Sequence, residues 1–147
     1  MSICSDDYIV FGGDRRLCRG YGILKRDVSR IHKLTEDTYI LSWGMYSDII
    51  NLWKVLDERI RLYQLNYGEK LDTQRIASML SRVLYYKRFF PYYTFNIIVG
   101  KQDGRFVSFD YDAIGSMSRL KKVANCGNSS EIIGPMLENQ LEGYNLK

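Results

Sequence analysis

The change of hydrophobic period along this chain most limits what it can fold into. Apolar residues first come in short β-rich runs with glycines beside them, at residues 8–11, 21–24 and 38–43. The spacing then changes to three and four residues over two helical stripes, and the β pattern returns after Pro91. Because strands and helices come in blocks and do not alternate singly, the order argues against a doubly wound parallel sheet and predicts an α+β layered sandwich.

Two adjacent helices are predicted in the middle of the chain. Their apolar stripes are Ile49, Leu52, Trp53, Leu56, Ile60 and Tyr63 in the first helix, and Ile76, Met79, Leu80, Val83 and Leu84 in the second. Ser47 is the expected N-cap of the first helix and residues 66–68 are its stop signal, while the second helix begins at Asp72 or Thr73. The short connector makes the two helices antiparallel neighbours.

The part after Pro91 is predicted to hold a hairpin, a short strand and a last helix. Residues 93–99 and 105–111 flank Asp103-Gly104, which is a hairpin signal, and residues 122–126 form one further short strand. The last helix begins near Ser129 or Ser130. Pro135 inside its early turns predicts an irregular or later start. The side chains expected to point inward are Ile132, Ile133, Met136, Leu137 and Leu141.

Length and composition narrow the class of protein. A chain of 147 residues predicts a single domain over residues 1–147. The chain is 46% apolar and 26% charged, which is typical of a soluble globular protein. Its apolar runs are too short to cross a bilayer and no charged-then-apolar leader opens it, so we expect neither a membrane partner nor secretion. Three cysteines in unrelated contexts suit a reducing compartment.

Few residues carry an obvious reactive chemistry. The sequence contains no GxxxxGK, HExxH, CxxC or GxSxG motif, and it has a single histidine, His32, which we interpret as a surface or interface residue. Cys4, Cys18 and Cys126 are each nucleophile candidates, with an inert structural thiol as the preferred interpretation. Neither a metal site nor a cofactor is expected.

A basic run is the strongest electrostatic feature. Its members are Arg15, Arg16, Arg19, Lys25, Arg26, Arg30 and Lys33. Such a run suits a phosphate backbone, and a nucleic-acid-binding module is one hypothesis for this chain. Because the run lacks interleaved aromatic residues apart from Tyr21, we favour a solvated or subunit-facing surface and expect no nucleic acid partner.

An aromatic segment stands out between residues 85 and 95, where seven aromatic side chains fall within eleven residues. Clustered aromatics beside arginine are typical of interface anchors. An equally favoured interpretation is that they cap the core between helix and sheet. The candidate interface residues are Tyr85, Tyr86, Arg88, Phe89, Phe90, Tyr92 and Tyr93.

This segment also carries a family resemblance. Residues 88–100, RFFPYYTFNIIVG, resemble the approach to a central strand in proteasome β-type subunits, and especially in the sixth, non-catalytic member of the eukaryotic β ring. Five further segments agree in order: residues 11–16, 32–38, 42–48, 109–116 and 135–140. The resemblance implies an N-terminal-nucleophile (Ntn) hydrolase fold, an αββα four-layer sandwich, which we expect to be shortened at both ends.

The resemblance also assigns positions in a degenerate catalytic site. Active members of this family use an N-terminal threonine, activated by its own amine together with a lysine and an aspartate. Asp14 falls at the aspartate position, Arg30 at the lysine position, Gly44 at the oxyanion glycine and Asn128 at a serine position. No threonine occurs in the first 34 residues, and Ser2 is expected inside the first strand. We therefore expect no catalysis by this chain.

The function implied by the resemblance is structural. It is that of a non-catalytic subunit in the β ring of the 20S proteasome core particle, which supports ATP- and ubiquitin-dependent degradation by neighbouring catalytic subunits in cytoplasm and nucleus. The implied partners are other β subunits of the same and the opposite ring and α-ring subunits, in an obligate hetero-oligomer. The alternative is a stand-alone Ntn-type amidohydrolase that uses Ser2 or a cysteine.

Overall fold

The strands and helices follow one another in the blocks that the periodicity predicts. The computed structural model describes residues 1–5, 7–120, 123–127 and 130–143. Its strands are β1 (Ser2–Cys4), β2 (Ile9–Phe11), β3 (Leu17–Arg19), β4 (Gly22–Lys25), β5 (Ile31–Lys33), β6 (Thr38–Gly44), β7 (Thr94–Gln102), β8 (Arg105–Tyr111), β9 (Met117–Leu120) and β10 (Val123–Ala124). Its helices are α1 (Tyr46–Tyr67), α2 (Thr73–Tyr86) and α3 (Ser130–Gly143).

The strands form three antiparallel groups. Five of them make the main sheet in the order β5-β6-β7-β8-β9, three make a second sheet in the order β10-β1-β2, and β3 with β4 forms a two-stranded ribbon. The predicted hairpin joins β7 to β8 through Asp103 and Gly104, whose φ angles are 50° and 80°. Positive φ at both central residues is what a tight two-residue hairpin requires.

The layers are set by the alternation of side chains along β6 and β7. Ile40 and Ile98 face α1 and α2 in one apolar cluster, while Leu41 and Ile97 face the second sheet in another. Helix α3 lies beside β10 of that second sheet. The α+β prediction is therefore confirmed, and the order helices, sheet, sheet, helix agrees with the αββα sandwich.

The two central helices form as predicted, apart from the start of α1. Asp72 caps α2 by accepting a 2.6 Å hydrogen bond from the backbone N–H of Arg75, and Gly68 ends α1 in the left-handed conformation. The prediction of Ser47 as N-cap is wrong, because α1 begins at Tyr46 and Met45 is its N-cap. The carbonyl of Met45 accepts the first helical bond, and no side chain caps that end.

Helix α3 departs from two predictions. It begins at Ser130 and carries Pro135 within its length, so the expected later start is wrong. Two of the side chains predicted to point inward are exposed, since Ile132 is 74% and Met136 is 59% accessible. The predicted strand at residues 122–126 is confirmed only for Val123–Ala124, and residue 122 lies outside the described residues.

Candidate functional site

Three of the positions that the resemblance assigns to a catalytic site lie around one turn. Residues 12–16 pass over the end of β6, where a β-carbon on Gly13 would lie 3.2 Å from the ring of Trp43 and 3.6 Å from Cβ of Arg30. The carbonyl of Arg30 accepts a 2.9 Å hydrogen bond from the N–H of Ser42. Gly44 follows directly on Trp43. The fold thus gathers the turn, Arg30 and the end of β6.

Asp14 is turned toward the backbone of its own turn. Its side chain is in an exposed part of the turn, and its Oδ1 accepts a 3.1 Å hydrogen bond from the N–H of Arg16. Within the described part of the chain, Asp14 forms no ion pair with Arg30. The fourth assigned residue, Asn128, lies outside the described residues.

Arg30 is buried, and few neighbouring groups compensate the positive charge of its guanidinium. The residue is only 8% exposed. Its Nη2 donates a 3.3 Å hydrogen bond to the carbonyl of Arg16, and its guanidinium carbon lies 5.9 Å from the centre of the Tyr46 ring. Nε and Nη1 are buried without a hydrogen-bond partner among the described residues. Arginine stays protonated at all ordinary pH, so this position holds a permanent charge in place of a group that can exchange a proton.

Gly44 is required by a close approach of two backbone segments. Its φ is +118°, and a β-carbon there would overlap the carbonyl oxygen of Tyr93. The same oxygen accepts a 2.9 Å hydrogen bond from the N–H of Met45, and the N–H of Tyr93 donates to Oδ2 of Asp48 at 2.9 Å. The start of α1 is thereby tied to the residue that precedes β7.

Two of the hydroxyl and thiol candidates, Ser2 and Cys126, lie in settings that do not activate them. Ser2 is 1% exposed and pairs on both sides, with Phe11 and Ala124, and its Oγ is a buried atom without a hydrogen-bond partner in the described part of the chain. Burial raises the pKa of the Cys126 thiol to about 12. Cys4 is buried in β1 and Cys18 is exposed in β3.

His32 connects β5 to α1. Its ring stacks on Trp53 with the two centroids 4.9 Å apart and the planes within 12°. Its Nε2 lies 2.9–3.0 Å from both carboxylate oxygens of Asp57. The His32 side chain is 31% exposed, so it lies at the surface in part, and the interface interpretation stays a prediction.

A chain of buried polar side chains, which the sequence analysis did not predict, begins at the indole N–H of Trp53. The indole N–H donates a 3.0 Å hydrogen bond to Oγ of Ser42, which donates at 2.7 Å to Oδ1 of Asn96. The amide of Asn96 then donates to Oγ1 of Thr94 at 3.1 Å. Polar residues at positions 42, 94 and 96 within apolar strands were the available signal, since buried polar groups must find partners.

The aromatic segment is largely exposed. Phe89 and Phe90 are 86% and 88% accessible, and Tyr85, Tyr86 and Tyr93 are exposed as well. The guanidinium of Arg88 lies 4.7 Å from the ring centre of Tyr85 and 4.3 Å from that of Phe89. Tyr92 differs, because it is half-buried and packs against the apolar cluster under α1 and α2. The core-cap interpretation therefore fits Tyr92, and the others are free to meet a partner.

The comparison with known families decides where this chain belongs. The family model described as "Proteasome subunit" matches residues 1–146. The chain is a member of the proteasome subunit family.

Curated relatives of this proteasome subunit carry the name proteasome subunit beta type-1. The protein from Oryza sativa subsp. japonica is 42% identical over 143 residues, which cover 97% of this chain and 64% of that protein. The protein from Arabidopsis thaliana is 41% identical with the same coverage, and the protein from Danio rerio is 34% identical over 148 residues, 100% of this chain and 62% of that protein. This chain spans just under two thirds of the length of these relatives.

Two members of the basic run of the proteasome subunit are not free, exposed cations. Arg15 pairs with Asp27, and Arg30 is buried.

Nothing in the described part of the chain gathers three His, Cys, Asp or Glu side chains in a way that would hold a metal ion. Across the same residues, no helix has the length and apolar character needed to cross a membrane.

Proposed function

We propose that this chain is a non-catalytic, structural subunit of the β ring of the 20S proteasome core particle. In this role it supplies interface and chamber wall, while neighbouring subunits carry out ATP- and ubiquitin-dependent protein degradation in cytoplasm and nucleus. Its partners are β subunits of the same and the opposite ring and α-ring subunits, in an obligate hetero-oligomer. Family membership and the names of its relatives support the ring assignment.

The observation that carries the non-catalytic part is the buried guanidinium of Arg30. A nucleophile in this fold needs a neighbouring group that takes up and returns its proton. Arg30 stands at the lysine position of active members, and a guanidinium does not release a proton under physiological conditions. Asp14 is turned to the backbone of Arg16, so it is not available to orient a base. These two departures argue against an activated nucleophile at this site.

The alternative of a stand-alone amidohydrolase finds no support from Ser2 or from Cys126. The Oγ of Ser2 contacts no base among the described residues and is closed off inside a sheet. The thiol of Cys126, with a pKa of about 12, stays protonated at neutral pH, and a protonated thiol is a poor nucleophile.

The exposed rings support the structural part of the proposal. Five aromatic side chains of residues 85–93 are exposed, with Arg88 placed over two of them. Aromatic residues and arginine are enriched at the centres of protein interfaces, and a soluble monomer rarely exposes such a patch. We assign this surface, Tyr85, Tyr86, Arg88, Phe89, Phe90 and Tyr93, to contact with a neighbouring subunit and refer to it as the aromatic surface.

Native mass spectrometry of the tagged chain with its co-purifying proteins tests the structural role. We expect capture of other β-type and α-type subunits, and loss of that capture in the double variant Phe89→Ser/Phe90→Ser. The double variant Ile132→Ser/Met136→Ser is the matched control, because it removes exposed apolar side chains from α3 instead. A stable lone monomer in wild type would contradict the proposal.

An epoxyketone peptide, which traps N-terminal threonine nucleophiles, tests the non-catalytic role. In a purified core particle that contains this chain, we expect adducts on neighbouring subunits and none on this one. An adduct on this chain would overturn the non-catalytic assignment and leave its place in the ring intact.

A further inference from the structure

A groove between α1 and α2 is separate from both the Arg30 region and the aromatic surface. It has a volume of about 640 Å³. Its α1 side includes Arg59, Tyr63 and Tyr67, which are spaced by four residues and so share one helix face. Its α2 side includes Arg75 and Arg82, seven residues apart on one face of that helix. The two helix faces border an open groove.

The groove combines exposed apolar side chains with an arginine rim. Leu62 is 57% and Tyr67 is 68% exposed, although each is an apolar or aromatic residue beside the helix–helix contact. The rings of Tyr63 and Tyr67 lie against each other with centroids 4.7 Å apart. An exposed apolar groove between two helices is the usual shape of a site for an apolar helix or peptide face.

The charges of the groove have one sign. Arg59, Arg75 and Arg82 are among its lining residues, and no Asp or Glu is among the described residues that line it. Arg75 is partly compensated by Glu69 at 3.4 Å and Asp72 at 3.8 Å. Arg59 and Arg82 make no ion pair within the described part of the chain. Two uncompensated cations therefore flank the groove and call for a partner of opposite charge.

We propose that this groove binds an acidic peptide segment with apolar anchors, supplied by another polypeptide. Apolar side chains of the segment fill the groove beside Leu62 and Tyr67, and its carboxylates meet Arg59 and Arg82. The inference deepens the proposed function by naming the chemistry of one neighbouring surface. A nucleic acid is disfavoured, because the two arginines border an apolar groove and do not form a stripe along which phosphates would lie.

Fluorescence anisotropy with a labelled, short helical peptide tests the proposal on the full chain. The peptide carries leucines at helical spacing and glutamates elsewhere, and a second peptide has lysine in place of every glutamate. We expect saturable binding of the glutamate peptide that weakens with added salt, and no saturable binding of the lysine peptide. Absence of binding by the glutamate peptide, or equal binding of both peptides, would refute the groove as an acidic-peptide site.

Charge reversal locates the binding. We expect Arg59→Glu/Arg82→Glu to weaken the glutamate peptide by roughly tenfold or more, because two attractive contacts become repulsive. The matched control is Arg61→Glu, an exposed arginine of the same helix that does not line this groove, and its effect should stay within about twofold. If the double reversal fails to fold, Arg59→Gln/Arg82→Gln replaces it, with a smaller loss expected in the same direction. Equal effects of the control and the groove variants would sink the proposal.

Two further readouts separate this inference from competing accounts. A single-stranded oligonucleotide that displaces the glutamate peptide, with displacement abolished by Arg59→Glu/Arg82→Glu, would show that the groove takes phosphates and would overturn the peptide assignment. Failure to capture ring subunits in native mass spectrometry would contradict the proposed function, and a positive peptide result would still stand. The two claims therefore fail by different measurements.

Discussion

The carbonyl oxygen of Tyr93 occupies the space that a β-carbon on Gly44 would need. That oxygen also accepts the hydrogen bond from the N–H of Met45, so it has no freedom to move away. Gly44→Ala combines this overlap with a backbone φ of +118° that alanine avoids. We expect a loss of at least about 2 kcal/mol in the free energy of unfolding, measured by urea titration.

Gly20→Ala is the control for the overlap. Gly20 also has a positive φ, +57°, but nothing lies within 4 Å of its β-carbon position. Gly20→Ala should lower the free energy of unfolding by about 1 kcal/mol, the cost of placing alanine in the left-handed conformation. Equal losses in the two variants would show that the close approach of Tyr93 is not what constrains Gly44.

The buried chain from Trp53 through Ser42 to Asn96 predicts a polar contribution to stability. Ser42→Ala leaves the indole N–H of Trp53 and Oδ1 of Asn96 without their shared partner, so we expect a loss of about 1–3 kcal/mol. Ser118→Ala, at an exposed position in β9, should change stability by no more than about 0.5 kcal/mol. A double-mutant cycle with Trp53→Phe should be non-additive, and additivity would mean that the two groups do not interact.

The uncompensated charge of Arg30 predicts a stabilising substitution. Arg30→Met keeps an unbranched apolar side chain and removes a buried cation that has one long hydrogen bond. We expect the free energy of unfolding to rise by roughly 1 kcal/mol, because burying an unpaired charge is costly. Arg119→Met on the exposed face of β9 should be nearly neutral. A clear loss of stability in Arg30→Met would contradict the view that the charge is uncompensated.

The carboxyl of Asp110 predicts the direction in which the stability of the fold changes with pH. Burial raises the pKa of the Asp110 carboxyl above its usual range, so the folded state favours the protonated form. The group therefore contributes most stability below its unfolded pKa, and that contribution is lost as pH rises through the higher folded value. Asp110→Asn should be more stable than wild type at pH 7, and the gap should close in acid.

Thermal melts of both proteins across the acidic range measure that gap. Asparagine keeps a side-chain oxygen, so the hydrogen bond accepted from the N–H of Tyr111 is preserved in the variant. Asp7→Asn, at an exposed position, is the control for the loss of one carboxylate charge. A gap that widens toward acid would contradict the direction given for the pKa.

Local signals in the sequence were sufficient for the central helices and the hairpin. Asp72 and Gly68 act on the backbone of their own helix ends, and Asp103-Gly104 acts within its own turn. Such features depend on residues a few positions away, so a single sequence contains all that determines them.

The features that the sequence did not determine depend on contacts between residues far apart in the chain. Ser47 is a good cap by type, but the start of α1 is fixed by contacts with Tyr93, forty-six residues further on. In α3, periodicity identifies the residues that share a face but not which face finds a neighbour, and Ile132 and Met136 therefore stayed exposed. For the assigned site, the resemblance gave Asp14 the aspartate position and Arg30 the lysine position, and only the turn geometry shows that Asp14 accepts from the N–H of Arg16.

The double anchoring of Tyr93 has a consequence for how the aromatic surface would associate. Its N–H donates to Asp48 and its carbonyl accepts from Met45. The N–H groups of Lys87 and Arg88 donate to carbonyls at the end of α2, and the N–H of Phe90 donates to the carbonyl of Lys87. The rings therefore project from a main chain that is already ordered before any partner arrives. Association then loses little conformational entropy in this segment, so more of the free energy from burying the rings remains as affinity.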